Sequence, residues 1–136
     1  MITHLSHVCV YVLNQESAED FYVNKLGFQV HTDAPMGPGI RWLTVHPKGK
    51  PDLEITLIEI KEGMRFDQDS AEKMKSLMKK GVFGFGVFSC DDFYATIEEL
   101  KAKGVKFRKE PKREFYGIEA IFLDVSGNWY SLTQPA

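Results

Sequence analysis

The apolar positions of this chain change period several times, and each change marks an element. Leu5 to Val12 alternates, with Val8, Val10 and Val12 on one face and His7, Cys9 and Tyr11 on the other, the period of a strand. Ala18, Phe21, Tyr22 and Leu26 then follow helical spacing, with Asn14 or Ser17 placed as the cap and Gly27 placed to end the helix in a left-handed conformation. Phe28 to Thr32 predicts a second strand. Pro35-Met36-Gly37-Pro38-Gly39 forces a loop, because proline removes donors and glycine admits positive φ. Ile40 to His46 and Leu53 to Ile60 complete the series as strands joined by the turn-forming residues 47–52, giving β-α-β-β-β.

The second half repeats this order. Val82 to Ser89 predicts a strand, and Asp91 or Asp92 caps a helix with Phe93, Ile97 and Leu100 on one face and Gly104 at its end. Val105 to Phe107 is a short strand. A connection containing Pro111 and the segment Phe115 to Glu119 follow, then strands Ala120 to Asp124 and Trp129 to Thr133 around the turn 125–128. Gly27 and Gly104 lie 77 positions apart, Glu54 and Ser131 also 77, and His7 and Phe85 78. A near-constant offset over helix ends and strands points to duplication. The chain therefore reads as one α+β domain, residues 1–136, made of a first module (1–60), a linker (61–81) and a second module (82–136). The linker predicts its own helix, with Asp69 and Glu72 spaced as a capping pair, an apolar stripe of Ala71, Met74, Leu77 and Met78, and Gly81 at its end.

Composition narrows the function classes. The 136 residues suffice for a core without disulfides, and Cys9 and Cys90 sit in strand-like stretches rather than a disulfide framework. A formal net charge of −2 with no basic stripe argues against nucleic acid. No apolar run reaches the roughly 20 residues of a membrane span, and no signal-peptide pattern opens the chain, so a cytoplasmic location is expected.

Paired β-α-β-β-β units, with His7 in the first strand ahead of the helical Phe21-Tyr22, resemble the glyoxalase/bleomycin-resistance/dioxygenase (vicinal oxygen chelate) superfamily. Arg41-Trp42-Leu43-Thr44-Val45 and the closing Phe122-Leu123-Asp124-Val125-Ser126-Gly127-Asn128-Trp129-Tyr130-Ser131-Leu132 are similar to the family's motifs as well. The resemblance implies that the two modules form an open mixed sheet enclosing a cleft, and that metal-dependent members draw a ligand from the first and last strand of each module. His7 and Glu54 match in the first module; Phe85 and Ser131 stand at the matching places in the second. Two donors fall short of the three that catalytic zinc or iron sites usually have.

The expected function is small-molecule binding with an incomplete metal site and no cofactor. His7, Trp42, Glu54, Phe85, Tyr116, Trp129 and Ser131 are the candidate ligand-binding residues, and a homodimer is the expected assembly. Without metal, His7 is expected to hydrogen-bond a neighbour such as Glu54. His46 is expected to be solvent-exposed beside its turn, and His31 has no predicted partner. Two alternatives differ in class. One is a metal-dependent glyoxalase-like lyase or dioxygenase, holding nickel, zinc, manganese or iron through His7 and Glu54. The other is a structural or partner-binding domain.

Overall fold

The computed structural model describes residues 1–63 and 65–136; Met64, in the predicted linker, lies outside them. The chain divides into two compact units, Met1–Ala71 and Glu72–Ala136. In the first, β1 (His7–Val12), α1 (Gln15–Asp20), β2 (Gln29–Pro35), β3 (Arg41–His46) and β4 (Glu54–Glu59) form a four-stranded sheet in the order β1-β4-β3-β2. β1 runs parallel to β4, and the other pairs are antiparallel. After α2 (Gln68–Lys79), the second unit repeats the plan with β5 (Phe85–Ser89), α3 (Phe93–Ala102), β6 (Phe107–Glu114), β7 (Gly117–Leu123) and β8 (Trp129–Pro135), ordered β5-β8-β7-β6. Among the described residues two four-stranded mixed sheets and three α-helices make the fold α+β, as the alternation predicted.

One face of the first sheet is core. Val12, Leu43, Val45 and Leu57 are fully buried, as are the helical Ala18 and Tyr22. Burying side chains of this size contributes about 1.5–3 kcal/mol each. Asn14 caps α1 by accepting from Ser17 N at 2.8 Å, and Gln15 Nε2 ties the helix to the sheet through the carbonyls of Arg41 (3.0 Å) and Leu57 (2.9 Å). The single helix expected here changes pitch. Phe21–Lys25 is a π turn in which Leu26 N donates to Phe21 O at 3.0 Å, before Gly27 turns the chain at φ 76°.

In the second unit Asp92 caps α3, accepting from Ala95 N at 3.3 Å. β6 replaces the loop expected around Pro111. It is an edge strand with two register shifts, which is where a proline missing its N–H is tolerated. α2 begins two residues earlier than the Asp69–Glu72 pair suggested, because Asp67 rather than Asp69 takes the capping place, its Oδ1 accepting from Ser70 N at 2.6 Å. Its far end meets the β7–β8 turn, where Asp124 Oδ1 accepts from the backbone N–H groups of Ser126, Gly127 and Asn128 at 2.8–2.9 Å. Gly127, at φ 107°, brings that turn so close to the Met78 carbonyl that a Cβ would collide with it.

Candidate functional site on the His7 face of the first sheet

The face of the first sheet opposite the core carries the candidate chemistry in three rungs. Strand register places His7 beside Glu54, Cys9 beside Thr56 with Thr44 across from it, and Tyr11 beside Ile58. Alternation along β3 puts Trp42 and His46 on the same face as Thr44. The rungs thus grade from imidazole and carboxylate, through hydroxyls, to aromatic and aliphatic groups.

Glu54 is the hub of the polar rung. His7 Nε2 lies 3.1 Å from its Oε2, His31 Nδ1 lies 3.0 Å from its Oε1, and Thr44 Oγ1 donates to Oε1 at 2.7 Å. Thr44 in turn accepts from Thr32 N at 3.1 Å. The Glu54 side chain is only 13% exposed, against 37% for His7 and 47% for His31, so the imidazoles face solvent and the carboxylate sits beneath them. The expected His7–Glu54 contact is present.

His31 and His46 correct the sequence reading. Val30 pairs with Val45 and Thr32 with Thr44, so His31 is an extra residue in β2. Such a bulge interrupts alternation and re-aims a side chain, here towards Glu54. His46, expected at the surface, is 6% exposed; its Nδ1 donates to Pro47 O at 2.8 Å, and its ring lies edge-on to His31. In the middle rung Thr56 is 1% exposed, and its Oγ1 has no hydrogen-bond partner among the described residues.

The apolar rung floors a pocket of about 340 Å³, lined by Trp42 and Ile58 with Gln15, Arg41, Arg65 and Phe66 at its walls. Phe66 meets Tyr11 edge-on at 5.7 Å, and the Arg65 guanidinium lies 5.9 Å over the Trp42 ring. Arg41 is committed elsewhere, to Asp33 (2.8 Å) and Glu19 (2.9 Å); Asp33 first of all, then Glu19, holds its guanidinium firmly protonated.

The second unit arranges its candidates differently. Phe85 pairs with Trp129, their rings stacked at 4.7 Å and 13°. The first residues of α1 and α3 are each held by a side chain at the end of their sheet: Gln15 N by Glu59 Oε1 at 2.9 Å, Phe93 N by Gln134 Oε1 at 2.8 Å. Gln15 and Phe93 stand 78 positions apart, as do His7 and Phe85; Glu59 and Gln134 stand 75 apart, as do Glu54 and Trp129. Trp129, not Ser131, is therefore the counterpart of Glu54. The constant 77-residue offset fails because the turn before the last strand is shorter in the second module. A histidine–carboxylate contact in one unit is an aromatic stack in the other.

Ser131 and Tyr116 belong to a separate cluster around Glu119. Both hydroxyls donate to that carboxylate, Tyr116 at 2.8 Å, and Lys109 Nζ lies 2.6 Å from Glu119 and 3.1 Å from Glu114. The Lys109 ammonium, then the Ser131 hydroxyl, pull the Glu119 carboxyl down to about 2, and donation to Glu119 pushes the Tyr116 phenol up. His7, Glu54 and Trp42 thus share one sheet face, Phe85 and Trp129 share a strand pair in the other unit, and Ser131 and Tyr116 serve a polar cluster beside it. Sequence reasoning missed Glu119, whose alternation with Ile121 on β7 was the available signal. It also missed His31, because a bulge leaves no trace in alternation.

His7 and Glu54 by themselves offer a divalent ion two donors, one short of the three usual in catalytic zinc and iron sites. Their second-module counterparts, Phe85 and Trp129, are aromatic rings that cannot coordinate. Among the described residues no three His, Cys, Asp or Glu side chains group as a metal site.

A fold of two β-α-β-β-β units with a pocketed sheet face defines a class, and comparison with known proteins places the chain in it. Residues 4–132 match the Glyoxalase/Bleomycin resistance protein/Dioxygenase superfamily, and the chain belongs to that family. The uncharacterized protein YetH of Bacillus subtilis (strain 168) is 35% identical over 98% of this chain and 100% of its own. The crystal structure of UcmS2 superposes with a TM-score of 0.92 at 43% identity, covering 98% of both chains. TnmS3, an antibiotic binding protein from Streptomyces sp. CB03234, superposes with a TM-score of 0.76 at 33% identity, covering 99% of this chain and 98% of its own.

Proposed function

We propose that this protein binds and sequesters a small organic molecule, of the antibiotic kind that TnmS3 is named for, on the His7 face of its first sheet and without a divalent ion. The observation that carries the reading is the graded face itself. A pocket of mixed lining, floored by Trp42 and Ile58 and walled by charged side chains such as Arg65, adjoins a few convergent polar groups, a combination that can hold and orient a small molecule. The replacement of the second His–carboxylate pair by Phe85 and Trp129 supports binding over metal-assisted catalysis.

The working form we propose is a cytoplasmic homodimer. Among the described residues β1 and β5 each hydrogen-bond a neighbouring strand on one side only and carry the exposed Val8, Phe85 and Val87, edges that a second copy would cover. No helix among the described residues is long and apolar enough to cross a membrane.

A second reading, a metal-dependent lyase or dioxygenase, draws its support from the two imidazoles that His7 and His31 bring to Glu54. One experiment separates the two. Protein purified without chelator or histidine tag is analysed for metal, then titrated calorimetrically with an antibiotic panel before and after EDTA treatment. Binding that is unchanged by EDTA, in protein carrying well under one equivalent of metal, is expected. About one equivalent of nickel, zinc, manganese or iron, lost in His7→Ala, would overturn the metal-free reading.

A further inference from the structure

The walls of the Trp42 pocket specify its ligand more closely than its size does. Three cations reach the lining. Arg41 is consumed by Asp33 and Glu19, and Lys61 stands 3.8 Å from Glu59. Arg65 is different. It is exposed, it lies 5.9 Å over the indole of Trp42, and no carboxylate pairs with it among the described residues. Of the two acids in the lining, Glu59 already accepts from Gln15 N and faces Lys61, while Glu62 is at the exposed rim.

We infer that this pocket takes a flat aromatic anion, with its rings on the face of Trp42 and its carboxylate or sulfonate on Arg65. The inference rests on the ligand-binding reading above and names the ligand class for the same site. Three physical arguments support it. A guanidinium is planar and its N–H donors lie in that plane, so Arg65 grips a carboxylate at the ligand's edge through two parallel bonds rather than from above the ring. Arg65 is exposed and its guanidinium carbon lies 5.9 Å from the Trp42 ring centroid, so a side-chain rotation uncovers the indole for the ligand's ring and leaves the guanidinium at the ring's edge. A ligand that covers Arg65 also strips water from it, and an uncompensated cation makes that costly. An anion removes that cost, a neutral ring leaves it, and a cation adds repulsion. The volume, about 340 Å³, lies at the small end of ligand pockets and suits a body of about two or three fused rings.

The test is calorimetric titration of the whole chain, in EDTA, with 2-naphthoate and with its neutral isostere 2-naphthamide. Expected is one site per chain, with naphthoate bound at least five-fold more tightly than naphthamide. Arg65→Gln should remove that preference by weakening naphthoate alone, and Trp42→Leu should weaken both probes. Arg65 is exposed, so its variant is expected to fold; circular dichroism and the unchanged naphthamide affinity check this in the same protein.

Equal affinities in the wild type, or a preference that survives Arg65→Gln, would overturn the anion assignment while the binding reading stands. Binding of both probes that is indifferent to Trp42→Leu would move the site to another surface, such as the Phe85–Trp129 stack, and overturn the inference. If neither probe binds at millimolar concentration the ligand class is wrong. If the antibiotic panel fails as well, the sequestration reading falls with it.

Discussion

Thr56→Val should make this protein more stable. Thr56 lies at the centre of the His7 face, between Cys9 and Thr44, 1% exposed and with no partner for its hydroxyl among the described residues. A buried hydroxyl that has left water without finding a partner costs roughly 1–3 kcal/mol. Valine keeps the branched shape and β-strand preference of threonine and replaces the hydroxyl with a methyl group, so the penalty is removed with little change in volume. An increase of about 1–2 kcal/mol in unfolding free energy is expected. The assay is urea denaturation followed by Trp42 fluorescence in a Trp129→Phe background, so that the first unit alone reports. The midpoint should rise at unchanged slope, since no surface is newly exposed. A fall of 1 kcal/mol or more would refute the reasoning, because it would mean that the hydroxyl is satisfied in the folded protein. A rise in stability accompanied by weaker ligand binding would show that the hydroxyl is kept for the ligand.

Two further outcomes follow from the second unit. The Glu119 carboxyl, held down to about 2 from 4.5 by Lys109 and then Ser131, contributes stability that is complete above pH 4.5 and is lost as pH falls towards 2. Fully expressed, that depression is worth about 3 kcal/mol, and solvent at this partly open cluster screens it to roughly 1 kcal/mol. Wild type should therefore exceed Glu119→Gln by that amount at pH 7 and by nothing near pH 2; a gap that persists in acid would show that the carboxylate charge is not its source. Gly127→Ala combines a positive φ with a collision against the Met78 carbonyl and should cost at least about 2 kcal/mol in chemical denaturation. Gly49→Ala, also at positive φ but with no atom within 4 Å of the added Cβ, isolates the backbone part; equal losses at the two sites would mean that α2 is not held through Gly127.

The elements of the fold were legible because alternation, helical spacing and glycine stops agree with one another along most of the chain. Asn14, Gly27, Asp92 and Gly104 stand at helix ends as read. Local pattern failed where hydrogen bonding reaches across the sheet. Pro111 read as a loop because sequence does not show that β6 lies on a sheet edge, where a missing donor is harmless. His7 and Glu54 were singled out by the family resemblance, which expects a ligand from the first and last strand of a module, and the structure brings them together. His31 and Thr56 were missed for opposite reasons: one is re-aimed by an extra residue, and the other is an ordinary threonine whose interest lies in what it fails to touch. The equation of Glu54 with Ser131 assumed one offset for a whole module, whereas each strand keeps its own register and the turns between them drift in length.

The bulge in β2 makes the polar end of this face editable by length rather than by composition. His31 reaches Glu54 only because β2 holds one residue more than β3 between Val30 and Thr32. Deleting a single codon there would return the strand to plain alternation, exchange the imidazole for another group, and leave Leu43, Val45 and Leu57 untouched in the core. In a lineage under shifting chemical challenge, insertions and deletions at that point offer a way to change what the face recognises without first having to rebuild what holds it up.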